Sequence, residues 1–326
     1  NWQGKKVLVT GAAGFIGSHL AERLVAEGAK VRAFVWYNAF GRWGWLDDSP
    51  VRDEMEVVAG DVTDAEFVHG AVEGEDVVFH LAALIAIPYS YRSPHTFFET
   101  NVLGTLNVMQ AALDEGVRRV VHTSTSEVYG TARHVPIEET HPLQAQSPYS
   151  ASKIGADKVA ESFHHAFGLP VVTVRPFNTF GPRQSARAVI PTIITQALAG
   201  DAIRLGSLDT MRDFTFVDDT VDGFLCAARA DDVAGCTFNL GTGQAVRIGE
   251  LSERIVQKVG RPVKVEVDAG RFRPQKSEVR RLLSDNSLAR ERLGWNPNVT
   301  LDEGLDRTIA WVRENLNRYR VGVYEF

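Results

Sequence analysis

KKVLVTGAAGFIG, residues 5–17, is an apolar run that ends in a glycine-rich turn. The next segment, residues 18–27, carries leucine and valine at the spacing of one helix face. A strand, a glycine turn and a helix in this order are typical of a site that binds a dinucleotide. Gly11 permits the tight turn, Gly14 lets backbone amides approach a pyrophosphate, and Gly17 lets the helix pack closely on the strand. The N-terminus of the helix adds partial positive charge and free N–H groups.

The same alternation of short apolar strands and helices continues along the chain. Strands are predicted at residues 5–10, 30–35, 55–62, 76–83 and from 119, and helices at 18–27, 64–72 and 94–115. This order predicts an α/β protein with a doubly wound parallel sheet of the Rossmann type, in which ligands bind at the carboxyl ends of the strands.

The length of the chain and the elements of its later part predict a second, smaller lobe. A strand from residue 169 runs into a loop, and a helix starts near Val189. Residues 238–243 are similar to a strand that returns to the sheet, and residues 301–319 form a C-terminal helix. We therefore expect a dinucleotide-binding domain at residues 1–176, to which 217–246 return, and a lobe at residues 177–216 and 247–326.

Composition limits the classes of partner. The chain has 326 residues, of which 44% are hydrophobic and 23% charged, as in globular proteins with a sizeable core. A net charge of −6 offers no basic surface for nucleic acid, and no apolar run reaches the roughly 18 residues of a membrane span. Cys226 and Cys236 lack the spacing of a metal or redox pair, so we expect buried free thiols, no metal and a cytoplasmic location.

The second strand ends without the acidic residue that many dinucleotide folds place on the adenosine ribose. It runs into Trp36-Tyr37-Asn38, and the next carboxylate is Asp47. Arg42 could contact a ribose phosphate or could be a solvated surface charge. The choice between NAD and NADP therefore stays open on these residues.

A tyrosine and a lysine four residues apart, Tyr149 and Lys153, lie on one face of a predicted helix. We expect the lysine cation and an oxidised nicotinamide to lower the pKa of the tyrosine. A phenolate near neutral pH takes a proton from a substrate hydroxyl while hydride leaves the same carbon. The strand from residue 119 ends in STSE, residues 124–127, where Thr125 can hold that hydroxyl in place.

These motifs together resemble the short-chain dehydrogenase/reductase superfamily. The Gly-x-x-Gly-x-x-Gly turn, the Ser-Thr-Ser-Glu strand end and the Tyr-x-x-x-Lys pair are similar to those of its extended members, the NAD-dependent epimerase/dehydratase family that acts on nucleotide sugars. The resemblance covers nearly the whole chain. It implies tightly held NAD, with NADP not excluded, a nucleotide-diphosphate sugar as substrate, and a homodimer formed through helices near residues 97–115 and 149–167.

Glu127 distinguishes the reactions of this family. Epimerases that resemble the galactose enzyme usually have a small residue there, whereas a glutamate resembles the 4,6-dehydratases and the nucleotide-glucuronate decarboxylases. Ser126 before it is nearer to the GDP-mannose 4,6-dehydratase pattern. The resemblance implies oxidation at carbon 4 and removal of the carbon 5 proton by Glu127. A hydroxyl then leaves carbon 6 with acid help from Ser126, protonated Glu127 or water, and hydride returns to carbon 6.

A 4,6-dehydratase acting on a UDP- or GDP-hexose is therefore the expected function. The alternatives are a 4-epimerase, a UDP-glucuronate decarboxylase, and a catalytically inactive regulatory binder, against which the intact Thr125, Tyr149 and Lys153 argue. The strings RFRPQKSEV, residues 271–279, and IPYSY, residues 87–91, with Tyr37-Asn38, resemble dehydratases of legionaminic-acid-type pathways that act on UDP-N-acetylglucosamine.

The resemblance also implies the site residues. Asp61 and Val62 match the step that contacts adenine, although an Asx turn or a helix N-cap explains Asp61 equally well. The expected catalytic residues are Thr125, Ser126, Glu127, Tyr149 and Lys153. The expected cofactor-binding residues are Gly11, Gly14, Phe15, Ile16, Gly17, Tyr37, Asn38, Asp61, Val62, Leu81, Ala82, Ala83, Tyr149, Lys153 and Pro176. The expected substrate-binding residues are Ser90, Asn178, Val189, Arg204, Arg212 and Arg273.

Overall fold

Thirteen strands and eleven helices are assigned in the computed structural model, which describes residues 1–274 and 276–323. Gln275, in the loop at 271–279, and residues 324–326 of the predicted lobe lie outside the described residues. The strands are β1 (Lys6–Thr10), β2 (Lys30–Trp36), β3 (Glu56–Gly60), β4 (Val77–His80), β5 (Arg119–Thr123), β6 (Val171–Pro176), β7 (Thr179–Phe180), β8 (Ala202–Leu205), β9 (Met211–Asp213), β10 (Thr215–Phe216), β11 (Thr237–Leu240), β12 (Ala245–Arg247) and β13 (Lys264–Val267). The helices are α1 (Phe15–Ala26), α2 (Ala65–Val72), α3 (Ile87–Ser90), α4 (Pro94–Phe98), α5 (Gly104–Asp114), α6 (Pro148–Phe167), α7 (Val189–Ala199), α8 (Val217–Arg229), α9 (Ile248–Val259), α10 (Ser287–Leu293) and α11 (Leu301–Glu314).

Seven parallel strands form the central sheet, in the order β11-β6-β5-β4-β1-β2-β3. The order reverses beside β1, because β2 lies on one side of it and β4 on the other. In a doubly wound sheet this reversal opens a crevice at the carboxyl ends of the strands. The predicted fold class is confirmed.

Successive side chains of each strand pack into two hydrophobic layers, one on each face of the sheet. Val7 and Val9 of β1 belong to the layer that includes helices α1 and α8, whereas Leu8 belongs to the layer that includes α2, α5 and α6. In β4, Phe79 belongs to the first of these layers and Val78 to the second. Because both faces of the sheet are covered by helices, its strands are apolar at nearly every position, which is why the sequence shows runs rather than alternation.

The smaller lobe is built from three two-stranded pairs, β7 with β10, β8 with β13 and β9 with β12, and from the mutually packed helices α7, α9 and α11. Its apolar residues, such as Ile193 and Leu305, join the same hydrophobic cluster as Val7 of the sheet. The later strand β11 lies beside β6 in the sheet. The boundaries between the two domains stay a prediction.

The structure corrects several predicted boundaries. Helix α1 begins at Phe15 rather than residue 18, because Gly14 is already its N-cap. The predicted helix at 94–115 is broken by a π-helical turn, Glu99–Leu103, at which the Asn101 side chain bonds both backbone groups of Leu84. The C-terminal helix ends at Glu314 rather than residue 319; its C-cap is Asn315, whose side chain also donates to the Trp311 carbonyl.

Two further expectations concern metals and membranes. In residues 1–274 and 276–323, no helix has the length and apolar character that crossing a bilayer needs. No cluster of histidine, cysteine and carboxylate side chains within those ranges is arranged to bind a metal. Cys226 and Cys236 are free thiols, but they are half-buried rather than buried as predicted.

Candidate active site

A cavity of about 870 Å³ lies at the carboxyl ends of β1, β4, β5 and β6, between the sheet and the smaller lobe. Most of the residues predicted from sequence line it. They are Gly11, Gly14, Phe15, Ile16, Gly17, Asp61, Val62, Leu81, Ala82, Ala83, Thr125, Ser126, Glu127, Tyr149, Lys153, Pro176, Asn178, Val189, Arg212 and Arg273. The structure thus gathers residues from both predicted domains around one cavity.

At the ribose end, the structure places Tyr37 and Asn38 outside the cavity wall. Side chains of β2 alternate between its two faces, so Phe34 and Trp36 face the cavity. Tyr37 is 64% exposed. The Asn38 side chain bonds backbone groups of its own loop, as far as Arg42. Trp36 lines the wall next to them, and cofactor binding by Tyr37 and Asn38 stays a prediction.

Ser90 and Arg204 also lie outside the wall. The Ser90 hydroxyl is buried and donates to the Ile87 carbonyl. Arg204 occupies the exposed face of β8 and lies 3.6 Å from Glu266 of the neighbouring strand β13, while Leu205 faces the cavity. A one-residue step along a strand turns a side chain to the opposite face, which explains why Arg204 points away from the cavity.

The glycine turn is shaped for an anionic group. Gly11 has a φ of 71°, and a Cβ there would lie 2.9 Å from the Ala82 nitrogen. A Cβ at Gly17 would meet the Gly11 carbonyl oxygen. Among the described residues, no side chain caps the N-terminus of α1 at Gly14, so its first amides face the cavity. A helix N-terminus with open amides fits the pyrophosphate of a dinucleotide.

We expect Gly17→Ala to weaken NAD binding by about tenfold or more, where each tenfold corresponds to roughly 1.4 kcal/mol. The added methyl group has no room against the Gly11 carbonyl, so α1 must shift away from the turn. Titration of the purified variant with NAD measures the effect. Gly70→Ala is the matched control: its Cβ meets nothing within 4 Å on α2, and we expect unchanged NAD affinity. Equal affinity in both variants would contradict this geometry.

A buried histidine fixes the cofactor side of the cavity. The Thr10 hydroxyl accepts from the amides of Leu81 and Ala82, at 3.1 Å each. His80 lies between Thr10 and Thr105, with its ring nitrogens 2.9 and 3.0 Å from their hydroxyl oxygens. Burial lowers the pKa of His80, so the ring is neutral. This link holds the backbone that forms the wall, and no motif in the sequence pointed to it.

Asp61 was expected either to contact adenine or to form an Asx turn or helix N-cap. Its carboxylate accepts from the amide and the hydroxyl of Thr63, which is an Asx turn. The N-cap of α2 is Asp64, which accepts from the Phe67 amide. Asp61 nevertheless lines the cavity, so the adenine contact stays a prediction.

The catalytic helix begins with a capping box. Ser147 and Ser150 exchange hydrogen bonds, which fixes the first turn of α6 and directs Tyr149 and Lys153 into the cavity. The Lys153 ammonium donates to the Thr123 carbonyl at 2.7 Å. Thr125 accepts from the Glu127 amide at 3.2 Å, and its side chain also interacts with the Tyr149 phenol. Both predicted catalytic segments therefore meet at one place.

Burial raises the pKa of Tyr149 in the protein alone, and interaction with the Thr125 side chain only partly opposes this. The expectation of a lowered pKa is therefore wrong for the protein without cofactor. The Lys153 ammonium contacts the Thr123 carbonyl, so the desolvation of the phenol dominates. A nearby oxidised nicotinamide carries the positive charge that favours the phenolate.

Lys153 makes stability depend on pH. Burial lowers its pKa from 10.5 to about 8, against the partly opposing charge of Asp157. The unfolded chain therefore holds a proton between these pH values that the folded protein has released, and stability rises with pH there. We expect Lys153→Met, freed of NAD, to be more stable than the wild type at pH 7 by up to about 3 kcal/mol.

That difference should shrink as the pH rises from 8 to 10.5. Denaturant unfolding of both proteins at pH 7 and pH 10 measures it, and groups common to both cancel. A difference that stays constant with pH would contradict the lowered pKa of Lys153.

A buried ionic network supports the catalytic helix from behind. Asp157 lies one turn beyond Lys153, 3.0 Å from Arg175, 3.1 Å from His122 and 2.7 Å from Ser124. Burial tends to raise the pKa of Asp157, but the His122 hydrogen bond and the Arg175 charge bring it to about 2. The carboxylate therefore ties α6 to β5 and β6. Its position four residues after Lys153 was a signal that sequence reasoning could have used.

Arginine and glutamate side chains lie close together at the proposed substrate end of the cavity. The Arg212 side chain is buried and lies 3.4 Å from Glu278, and Arg273 lies 3.8 Å from Glu127. The Asn178 amide donates to the Asp213 carbonyl at 3.2 Å. Several wall residues were not predicted, among them Thr100, Phe177, Gln184, Arg187, Thr210, Phe214, Arg271 and Glu278.

The chain is similar in sequence to known proteins. Residues 8–308 match the family described as GDP-mannose 4,6-dehydratase. The chain is 38% identical to UDP-glucose 4-epimerase of Mycolicibacterium smegmatis, over 94% of this chain and 98% of that protein.

Solved structures are similar in fold and sequence. The dTDP-glucose 4,6-dehydratase DesIV of Streptomyces venezuelae, solved with NAD bound, is 33% identical with a TM-score of 0.85, covering 96% of this chain and 98% of that one. The epimerase Mth375 of Methanothermobacter thermautotrophicus is 33% identical with a TM-score of 0.90, covering 97% and 94%.

Proposed function

Because the chain belongs to the NAD-dependent epimerase/dehydratase family of short-chain dehydrogenase/reductases, we propose that it is a nucleotide-sugar 4,6-dehydratase. NAD is the cofactor that this family uses, and the glycine turn fits its pyrophosphate. Bound NAD supplies the acceptor and later the donor of the hydride.

The observation that carries the proposal is the position of Glu127. Its carboxylate lines the same cavity as Thr125, Tyr149 and Lys153, on the turn that directly follows β5. A base beside the oxidation site allows removal of a second proton, from the carbon next to the newly formed ketone. Oxidation and reduction at carbon 4 alone need no such carboxylate.

The steps follow from the residues. Tyr149, as the phenolate, takes the proton of the carbon 4 hydroxyl while the hydride of that carbon passes to the nicotinamide. Thr125 orients the hydroxyl, and the Lys153 ammonium stabilises the phenolate. The ketone acidifies carbon 5, from which Glu127 takes the proton. The carbon 6 hydroxyl leaves as water with a proton from Ser126, protonated Glu127 or solvent, hydride adds to carbon 6, and a proton returns to carbon 5.

The substrate proposed is a UDP- or GDP-hexose. Arg212 and Arg273 line the end of the cavity beyond the catalytic residues, and a guanidinium matches two phosphate oxygens. Asn178 and Val189 line the same cavity. We assign the diphosphate to the two arginines, and we expect the nucleotide base to lie towards helix α7.

We also propose a cytoplasmic homodimer. Helices α4, α5 and α6 lie on one side of the sheet, and three large apolar side chains are exposed there, Phe98, Leu103 and Leu106. Exposed apolar groups close together on helices favour association with a second copy.

A 4-epimerase is the second candidate, favoured by the 38% identity to a UDP-glucose 4-epimerase over 98% of its length. A UDP-glucuronate decarboxylase shares the same scaffold and the glutamate position. Both reactions begin with the same oxidation at carbon 4, so they differ from dehydration only in their later steps.

Product masses separate these reactions. Purified protein is incubated with UDP-, GDP-, dTDP- and CDP-hexoses and UDP-glucuronate, without added cofactor. We expect the loss of one water from one member of the panel. A product of unchanged mass with altered chromatography would establish epimerisation instead, and loss of carbon dioxide from the glucuronate would establish decarboxylation.

A further inference from the structure

Two ion pairs cross the substrate end of the cavity. Arg212 Nη2 lies 3.4 Å from Glu278 Oε1, and Arg273 Nη1 lies 3.8 Å from Glu127 Oε1. All four side chains line the cavity wall. The two arginines assigned to the substrate diphosphate thus each face a carboxylate of the protein itself.

Burial explains why such partners are present. The Arg212 side chain is 8% exposed, and an ion removed from water is unfavourable unless an opposite charge lies close. Burial lowers the pKa of Arg212, while the charges of Glu127 and Glu278 act in the opposite direction. The carboxylates therefore stabilise the guanidinium in the protein alone.

Glu278 is held in place by its own loop. The neighbouring residue Ser277 bonds the Tyr91 hydroxyl, and the Lys276 carbonyl accepts from the Gln146 side chain at 3.0 Å. Val279, on its other side, is buried in a small apolar cluster with Tyr129 and Phe177. These contacts anchor the loop on both sides of Glu278.

We propose that Glu278, together with Glu127, is a resident counter-ion that the diphosphate of a nucleotide substrate must displace from Arg212 and Arg273. The inference rests on the proposed function. It makes Glu278 an affinity-setting residue, because the displaced carboxylate remains close to the diphosphate and repels it. It also links binding to catalysis, since Glu127 leaves Arg273 only when the diphosphate takes its place.

The test compares nucleoside diphosphate binding to the NAD-loaded protein and to its Glu278→Gln variant. UDP, dTDP and GDP are titrated separately by calorimetry. Glutamine keeps the shape of glutamate without the charge, so the expected result is binding about threefold to tenfold tighter in the variant. Unchanged or weaker binding would overturn the proposal, because it would mean that Glu278 positions Arg212 for the ligand.

A second variant and a control sharpen this test. Glu278→Ala removes the carboxylate and every hydrogen bond that glutamine could make, and it should also bind more tightly. Glu266→Gln neutralises an arginine-paired carboxylate outside the cavity and should leave the affinity unchanged. If the wild-type protein binds none of the three diphosphates, the proposed function itself fails. If it binds one and neither Glu278 variant binds more tightly, the counter-ion proposal alone fails.

Discussion

Tyr149→Phe is expected to lower turnover by roughly 10²–10⁴-fold while NAD remains bound. The change removes a single hydroxyl oxygen from a side chain that is 7% exposed on the wall of the cavity. That oxygen is the atom that we propose takes the proton of the carbon 4 hydroxyl, beside Lys153 and Thr125. The ring still packs on Phe97, so the fold should be retained.

Steady-state kinetics with the substrate identified in the panel measure the loss of turnover. The NAD content of the purified variant measures whether the cofactor remains bound. Tyr89→Phe is the matched control, because it removes a hydroxyl from a tyrosine that lies outside the cavity wall. Turnover near the wild-type rate in Tyr149→Phe would mean that another group accepts the proton.

Glu127→Gln is expected to separate oxidation from elimination. Tyr149, Thr125 and Lys153 are unchanged, so the oxidation at carbon 4 should proceed, but the carbon 5 proton has no base. We expect formation of the final product to fall by roughly 10²–10⁴-fold. In a single turnover, reduced nicotinamide should accumulate, and its absorbance measures the first half-reaction directly.

The Arg273 contact gives this variant a second signature. Because Glu127 faces Arg273, removing its charge should also tighten nucleoside diphosphate binding, so affinity rises as turnover falls. Glu138→Gln neutralises an exposed carboxylate outside the cavity and serves as the control. Final product at the normal rate from Glu127→Gln would show that Glu127 is not the base.

The local motifs were predictable because local chemistry determines them. The turn at Gly11 requires a positive φ, and Gly17 has no room for a Cβ, so the residue type itself reports the geometry. Tyr149 and Lys153 share a helix face by spacing alone. The apolar run of β4 reports a strand that is buried on both faces.

The structure differs from the sequence-based expectations where the position of a side chain depends on contacts that are distant in sequence. Arg204 occupies a strand in which one residue separates the side that faces the cavity from the side that faces solvent. Ser90 bonds its own helix. The pKa of Tyr149 depends on how deeply the ring is buried, which its sequence neighbours do not reveal. Glu278 reaches Arg212 across 66 positions of sequence, so the counter-ion pair could be recognised only in the fold.

The mass of the product formed in heavy water tests the central claim most directly. Dehydration returns hydride from carbon 4 to carbon 6 within the enzyme and takes the new proton of carbon 5 from solvent. The account therefore predicts a product that has lost one water and gained one carbon-bound deuterium, at carbon 5. A product of unchanged composition that carries no carbon-bound deuterium would contradict it and establish the chain as an epimerase.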